Sequence, residues 1–311
     1  MHYIQQAYKG LNDFWRYVIG ILLVLIGWQF IGMMPLVLVA FSYSKNLQEF
    51  QESANESFMN LGINKNLFLF LMLFSFVIGL FTLFYVVKTI HKRSVTTLIT
   101  ARKKIDWSRV FFSFSLWFII SLVMLVISYF TNPDDFQWNF KPIPFVILVL
   151  LSFLVMPLQT SFEELLFRGY LMQGLGVLFK YAWIPLFFTS AIFGLLHGAN
   201  PEVEKLGKWI FVYYIGTGFF LGLLTLLDDG TELALGFHAA NNIVAAVFVT
   251  QSWVVFQTDA LFISYTEPTL GLETFFPVLV LYPIMLFVFA KKYKWKNWKE
   301  KLFGKIENPF I

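Results

Sequence analysis

The chain has 311 residues, of which 58% are hydrophobic, 20% aromatic and only 14% charged, with a mean hydropathy of +0.68. That leaves too little polar surface to cover a water-soluble domain, so most of the chain is solvated by lipid. The formal net charge is +4, and the absence of cysteine excludes disulfides, iron–sulfur clusters and cysteine nucleophiles while leaving the compartment open.

A helix needs roughly 20 apolar residues to cross a bilayer. Runs of about that length at 15–43, 66–88, 110–130, 143–162, 183–199, 209–227, 231–251 and 272–290 predict an all-α, polytopic membrane bundle of about eight transmembrane helices. The first run is long and lacks a small-residue cleavage site, which reads as an anchor rather than a removable signal. The first three spans carry almost no ionisable groups and read as scaffold, residues 1–135 of a single membrane domain. Between the second and third spans lie Lys88, Lys92, Arg93, Arg102, Lys103, Lys104 and Arg109. The tail after the eighth holds Lys291, Lys292, Lys294, Lys296, Lys299, Lys301 and Lys305. The positive-inside rule places both, and with an even span number both termini, in the cytoplasm of a multi-pass protein of the cell membrane. The connection at 45–65 carries Glu49, Glu52 and Glu56, that at 131–141 carries Asp134 and Asp135, and both fall outside, as alternation requires. Residues 272–311 comprise the last helix and the basic tail, and that tail, with Trp295 and Trp298 interleaved, matches an anionic lipid surface; no nucleic-acid partner is expected.

Polar chemistry concentrates in the core at 143–251, where intramembrane ionisable residues are functional candidates. In SFEELLFRGY, residues 161–170, Glu164 and Arg168 stand four apart and face one another as an ion pair. Glu163 is rotated by about 100° and need not share that partner, so its charge must meet water, a metal or a proton. Further on, FGLLHGAN places Phe193 one turn before His197, and GFHAANN places His238 one turn before Asn242. Of the four histidines these two alone sit in apolar spans, flanked by Gly194 and Gly198 and by Gly236, Ala239 and Ala240, which let helices approach closely. A carboxylate, two imidazoles and a carboxamide are the parts needed to activate water on a carbonyl. The carboxylate takes the proton, and the imidazoles bind a metal or donate to the oxyanion. Neither His-Glu-x-x-His nor Gly-x-Ser-x-Gly occurs, and Asp228-Asp229-Gly230 reads as a capping turn before the seventh helix.

Glu163-Glu164-x-x-x-Arg168, Phe193-x-x-x-His197 and His238-x-x-x-Asn242, in this order, resemble the three motifs of the CPBP family. That family comprises the CAAX prenyl endopeptidases and their bacterial relatives, also called ABI-type intramembrane metalloproteases. The likeness covers about residues 143–251. It implies an intramembrane endopeptidase with its site in a cavity facing the cytoplasm, acting on a membrane-associated peptide or protein. By likeness, Glu163 is the base, Glu164 and Arg168 support it, and Glu163, His197, His238 and Asn242 hold a divalent metal such as zinc, or water and the oxyanion in a metal-independent glutamate mechanism. Other members of the group are linked to immunity or scaffolding, so a non-enzymatic membrane protein is the alternative. A proton or solute transporter is the remote one, since no paired repeat with broken helices is visible. For the three clusters to meet, the helix bearing Glu163 must continue past Arg168, or the fifth span must tilt or start late.

Overall fold

The computed structural model describes residues 2–266 and 270–311. It is a helical membrane bundle with eight principal helical segments: α1 Phe14–Tyr43, α2 Lys65–Thr89, α3 Trp107–Thr131, α4 Pro142–Phe179, α5 Trp183–Ala199, α6 Pro201–Asp228, α7 Glu232–Val247 and α8 Thr274–Tyr293. Among the described residues six of these are long and apolar enough to cross a bilayer. The other two predicted spans are present as shorter helices. The segment α5 is a shorter apolar helix. The 16 residues of α7 make a helix of about 24 Å, shorter than a hydrocarbon core of about 30 Å. It packs against α3, α4 and α6 rather than facing lipid, so it can hold Glu232, His238, Asn241 and Asn242 without a continuous apolar surface.

Glycines set the closest approaches. A Cβ at Gly236 would overlap the Val110 carbonyl of α3, and one at Gly194 would overlap Ile215 of α6. Small residues beside the two motif histidines thus bring backbones into contact, as membrane packing requires where no hydrophobic drive separates helix from lipid. Ser113 Oγ adds a 2.7 Å hydrogen bond to the Leu233 carbonyl across the α3–α7 contact.

At 38 residues, α4 would be about 57 Å long if straight, nearly twice a bilayer core. Regular α-helix from Pro142 ends at Leu154 and resumes at Met156, with Pro157 in the first turn, where its ring removes a donor and favours a kink. Beyond Glu164 the helix continues through a π-helical stretch, Leu165–Leu171, to Phe179. The segment bearing Glu163 therefore does run on past Arg168, which satisfies one of the two conditions for convergence.

Contacts divide the connecting segments into two ends. At one, Tyr3 Oη bonds the Leu98 carbonyl, Arg102 pairs with Asp228 at 2.9 Å and with Glu232 at 3.2 Å, and Lys301 pairs with Asp229 at 2.6 Å. This end gathers the basic loop and the basic tail. Asp228 and Asp229 are thus anchors for these basic segments rather than a helix cap; Thr231 precedes α7 and makes no side-chain cap. At the other end, Lys65 Nζ bonds the Thr258 carbonyl, Asn66 bonds the Pro144 carbonyl, and Lys141 pairs with Asp259. A small sheet covers this end: β1 Phe136–Trp138, β2 Val249–Thr250 and β3 Phe262–Ser264, in the order β1-β3-β2, with β1 antiparallel and β2 parallel to β3.

Candidate active site

The buried pair comes first. Glu164 and Arg168 have fully buried side chains, and Arg168 Nη1 donates to Glu164 Oε1 at 3.1 Å across the start of the π-helical stretch. A second Arg168 nitrogen donates to the Gly218 carbonyl of α6 at 3.2 Å. The guanidinium also lies 4.1 Å from the Phe193 ring centroid, a cation–π contact made by a fully buried side chain. One arginine therefore ties α4, α5 and α6 together, and the i,i+4 spacing seen in the sequence is the first link.

His238 of α7 joins this pair to the cavity. Its Nδ1 lies 2.7 Å from Glu164 Oε1, and its Nε2 lies 3.5 Å from Glu163 Oε2. Because the ionised Glu164 only accepts, the Nδ1 proton belongs on that bond, and Nε2 is left facing Glu163. The imidazole stands between the two adjacent carboxylates, a bridge that spacing along the chain did not reveal. Glu163 lines the cavity and is rotated away from Arg168, as helical geometry predicts.

His197, at the C-terminal end of α5, is held in a parallel way. Its Nδ1 donates to the Phe193 carbonyl at 2.8 Å, so Nε2 keeps its lone pair. Its ring stacks on Tyr214 of α6 with centroids 4.6 Å apart. Asn242 is the end of a polar chain: Trp117 Nε1 donates to Asn241 Oδ1, Asn241 Nδ2 to Asn242 Oδ1, and Asn242 Nδ2 to Gln159 Oε1, each at 3.2 Å. Gln159 lies one turn before Glu163 and was missed in the sequence, although an amide inside an apolar run was the available signal.

Glu163, His197, His238 and Asn242 all line one cavity of about 500 Å³, while Glu164 and Arg168 lie behind its wall. The three motifs, 79 positions apart at their extremes, meet in one place. The walls of the cavity run from these residues to Asn200, Glu202, Trp253 and Phe256. Val255 N–H bonds Glu202 at 3.0 Å there, and Gln257 reaches Met59, so this side of the cavity lies at the end remote from the basic clusters. No residue of the basic loop or basic tail lines it.

The imidazoles each donate Nδ1–H to a fixed acceptor and keep Nε2 for the cavity, which is the pattern of metal-ligating histidines. Yet among the described residues no three His, Cys, Asp or Glu side chains group closely enough to hold an ion. The donor chemistry still suits a divalent metal, which Glu163, His197, His238 and Asn242 would hold and which would polarise the carbonyl and the attacking water; the steps below describe what the chain's own groups do.

The family model for type II CAAX prenyl endopeptidase Rce1-like proteins matches residues 142–244, a stretch containing all three motifs. The protein "Uncharacterized protein YyaK" of Bacillus subtilis (strain 168) is 34% identical over 198 residues, 62% of this chain and 65% of that protein. The chain thus spans just under two thirds of the length of the curated relative it matches. No solved structure matches.

Proposed function

We propose, with the Rce1-like segment at 142–244 as premise, that this protein is an intramembrane endopeptidase that hydrolyses a peptide bond of a membrane-associated peptide or protein. The observation that carries the reading is the cavity in which Glu163 meets His238 at 3.5 Å, with His197 and Asn242 on the same walls. Glu163 takes a proton from water as the water oxygen attacks the scissile carbonyl. His238 Nε2 can share that proton with Glu163, so the proton need not leave the site. The free N–H of Asn242 is available to the developing oxyanion, and His197 Nε2 can orient the attacking water. Proton return from Glu163 to the amide nitrogen lets the C–N bond break, giving a new carboxyl and a new amine at the cost of one water.

Arg168 and Glu164 do not touch the reacting atoms in this reading. They position His238: the guanidinium neutralises Glu164, whose remaining role is to fix the Nδ1 tautomer. The basic loop and tail are read as the cytoplasmic face, with anionic headgroups as their partner.

The experiment compares membrane peptides from cells expressing the intact chain with those from cells expressing Glu163→Gln at equal membrane level. A peptide species or a shortened membrane protein is expected with the intact chain and lost with the variant. Identical profiles, with both proteins folded and inserted, would remove the peptidase reading and leave an immunity or scaffolding role.

A further inference from the structure

A carboxylate with no cationic partner among the described residues lines the cavity. Glu202, at the start of α6, accepts one hydrogen bond from Val255 N–H through Oε1, while Oε2 is buried without a partner among the described residues. An ionised oxygen so placed is costly unless a countercharge reaches it or the carboxyl takes up a proton. Among the described residues no lysine or arginine lines the cavity; Lys205 and Lys208 of the same stretch are exposed. The neighbouring walls carry Tyr213, Tyr214 and Trp253, whose ring faces favour a cation. Asn200 Nδ2 lies 3.5 Å from Tyr214 Oη, and Tyr214 stacks on His197. Side-chain contacts therefore run from His197 to the stretch that bears Glu202.

From this geometry we infer that the cavity is a cation-selective vestibule, open on the face away from the basic clusters, in which Glu202 receives a positively charged group of an entering peptide. That the entering peptide is then cleaved rests on the peptidase reading; the charge preference and the face of entry belong to the cavity itself. A free C-terminal carboxylate is a poor visitor here, since it would meet Glu202 and Glu163 with no cation to pair it. A lysine, arginine or N-terminal amine is the complementary group. The face matters because likeness to the CAAX endopeptidases implies cytoplasmic entry, whereas the walls lead to the opposite end.

The lack of native cysteine permits a direct test in the full chain in intact cells. Val255→Cys puts a thiol beside Glu202, and Leu206→Cys supplies a second reporter from another element in case the first disturbs the Glu202 contact. Two membrane-impermeant methanethiosulfonates, one bearing trimethylammonium and one bearing sulfonate, are added outside. Their rate ratio is normalised to that for a free small thiol. Both reporters are expected to react in intact cells, with Lys296→Cys in the tail reacting only after the cells are opened. The normalised ratio should favour the cation by about tenfold, the low end of electrostatic focusing in a cleft. Adding Glu202→Gln, which keeps an acceptor for Val255 N–H, should bring that ratio close to one. Reaction of the reporters only in opened cells would overturn the face of entry. A ratio near one, or one unchanged by Glu202→Gln, would overturn the role of Glu202. Either result is independent of whether Glu163→Gln stops cleavage.

Discussion

Glu164→Gln isolates the electrostatics of the buried pair. Glutamine is nearly isosteric and still offers an oxygen to His238 Nδ1, so the change removes charge while leaving shape and tautomer. Arg168 then remains fully buried with neutral groups, the amide oxygen, the Gly218 carbonyl and the Phe193 and Phe167 rings, to offset its charge. The gross attraction lost at 3.1 Å is about 5 kcal/mol at an effective dielectric of 20. Truncating one partner of a buried pair typically costs about 3–5 kcal/mol, because the other charge is stranded. Arg168→Met strands Glu164 in the same way, apart from the bond from His238. The double variant strands neither. Equilibrium unfolding of the four proteins in mixed micelles should show each single variant losing a few kcal/mol and the double variant losing no more than the worse single. Strict additivity, or single variants within about 0.5 kcal/mol of the parent, the range of changes at unremarkable surface sites, would refute the reasoning.

The same pair gives a functional corollary: Glu164→Gln should lower cleavage less than His238→Ala does, since the tautomer-fixing acceptor survives; equal loss would mean that the charge itself is needed at the site. Gly236→Val should destabilise the fold by about 1–3 kcal/mol or abolish its assembly, because the added carbon overlaps the Val110 carbonyl. Unchanged elution and unfolding would show that α3 and α7 can separate at no cost. His91, just beyond α2, is buried with Nδ1 donating to the Leu11 carbonyl and Nε2 accepting from Tyr170 Oη, and burial pushes its imidazole down to about 4. The unfolded chain protonates near 6.5, so this contribution is complete above that pH and is lost as pH falls from 6.5 towards 4. The stability difference between the parent and His91→Gln should therefore shrink over that window, and a pH-independent difference would contradict it.

Helix identity was legible because apolar runs of bilayer length leave few alternatives, and the Glu164–Arg168 contact followed from their i,i+4 spacing. Glycines next to His197 and His238 likewise announced close helix packing. What stayed hidden depends on tertiary surroundings. A window of hydropathy cannot tell that α7 is enclosed by protein rather than facing lipid. Nor does local sequence reveal that His238 turns its two nitrogens towards Glu164 and Glu163, since that depends on how α7 is rotated against α4. Asp228 and Asp229 had turn chemistry in the sequence, but their partners Arg102, Arg109 and Lys301 come from segments more than 70 residues away. Tyr214 looked like one more aromatic in a chain with 13 tyrosines until its ring was found against His197.

The central claim, that Glu163 activates water for peptide-bond hydrolysis, is tested most directly by isotope incorporation. Purified protein in liposomes would be given its cleaved peptide in water enriched in oxygen-18, and the products weighed by mass spectrometry. The account predicts one heavy oxygen in the new C-terminal carboxyl with the intact protein and no product with Glu163→Gln. Labelled product formed at the parent rate by Glu163→Gln would contradict it.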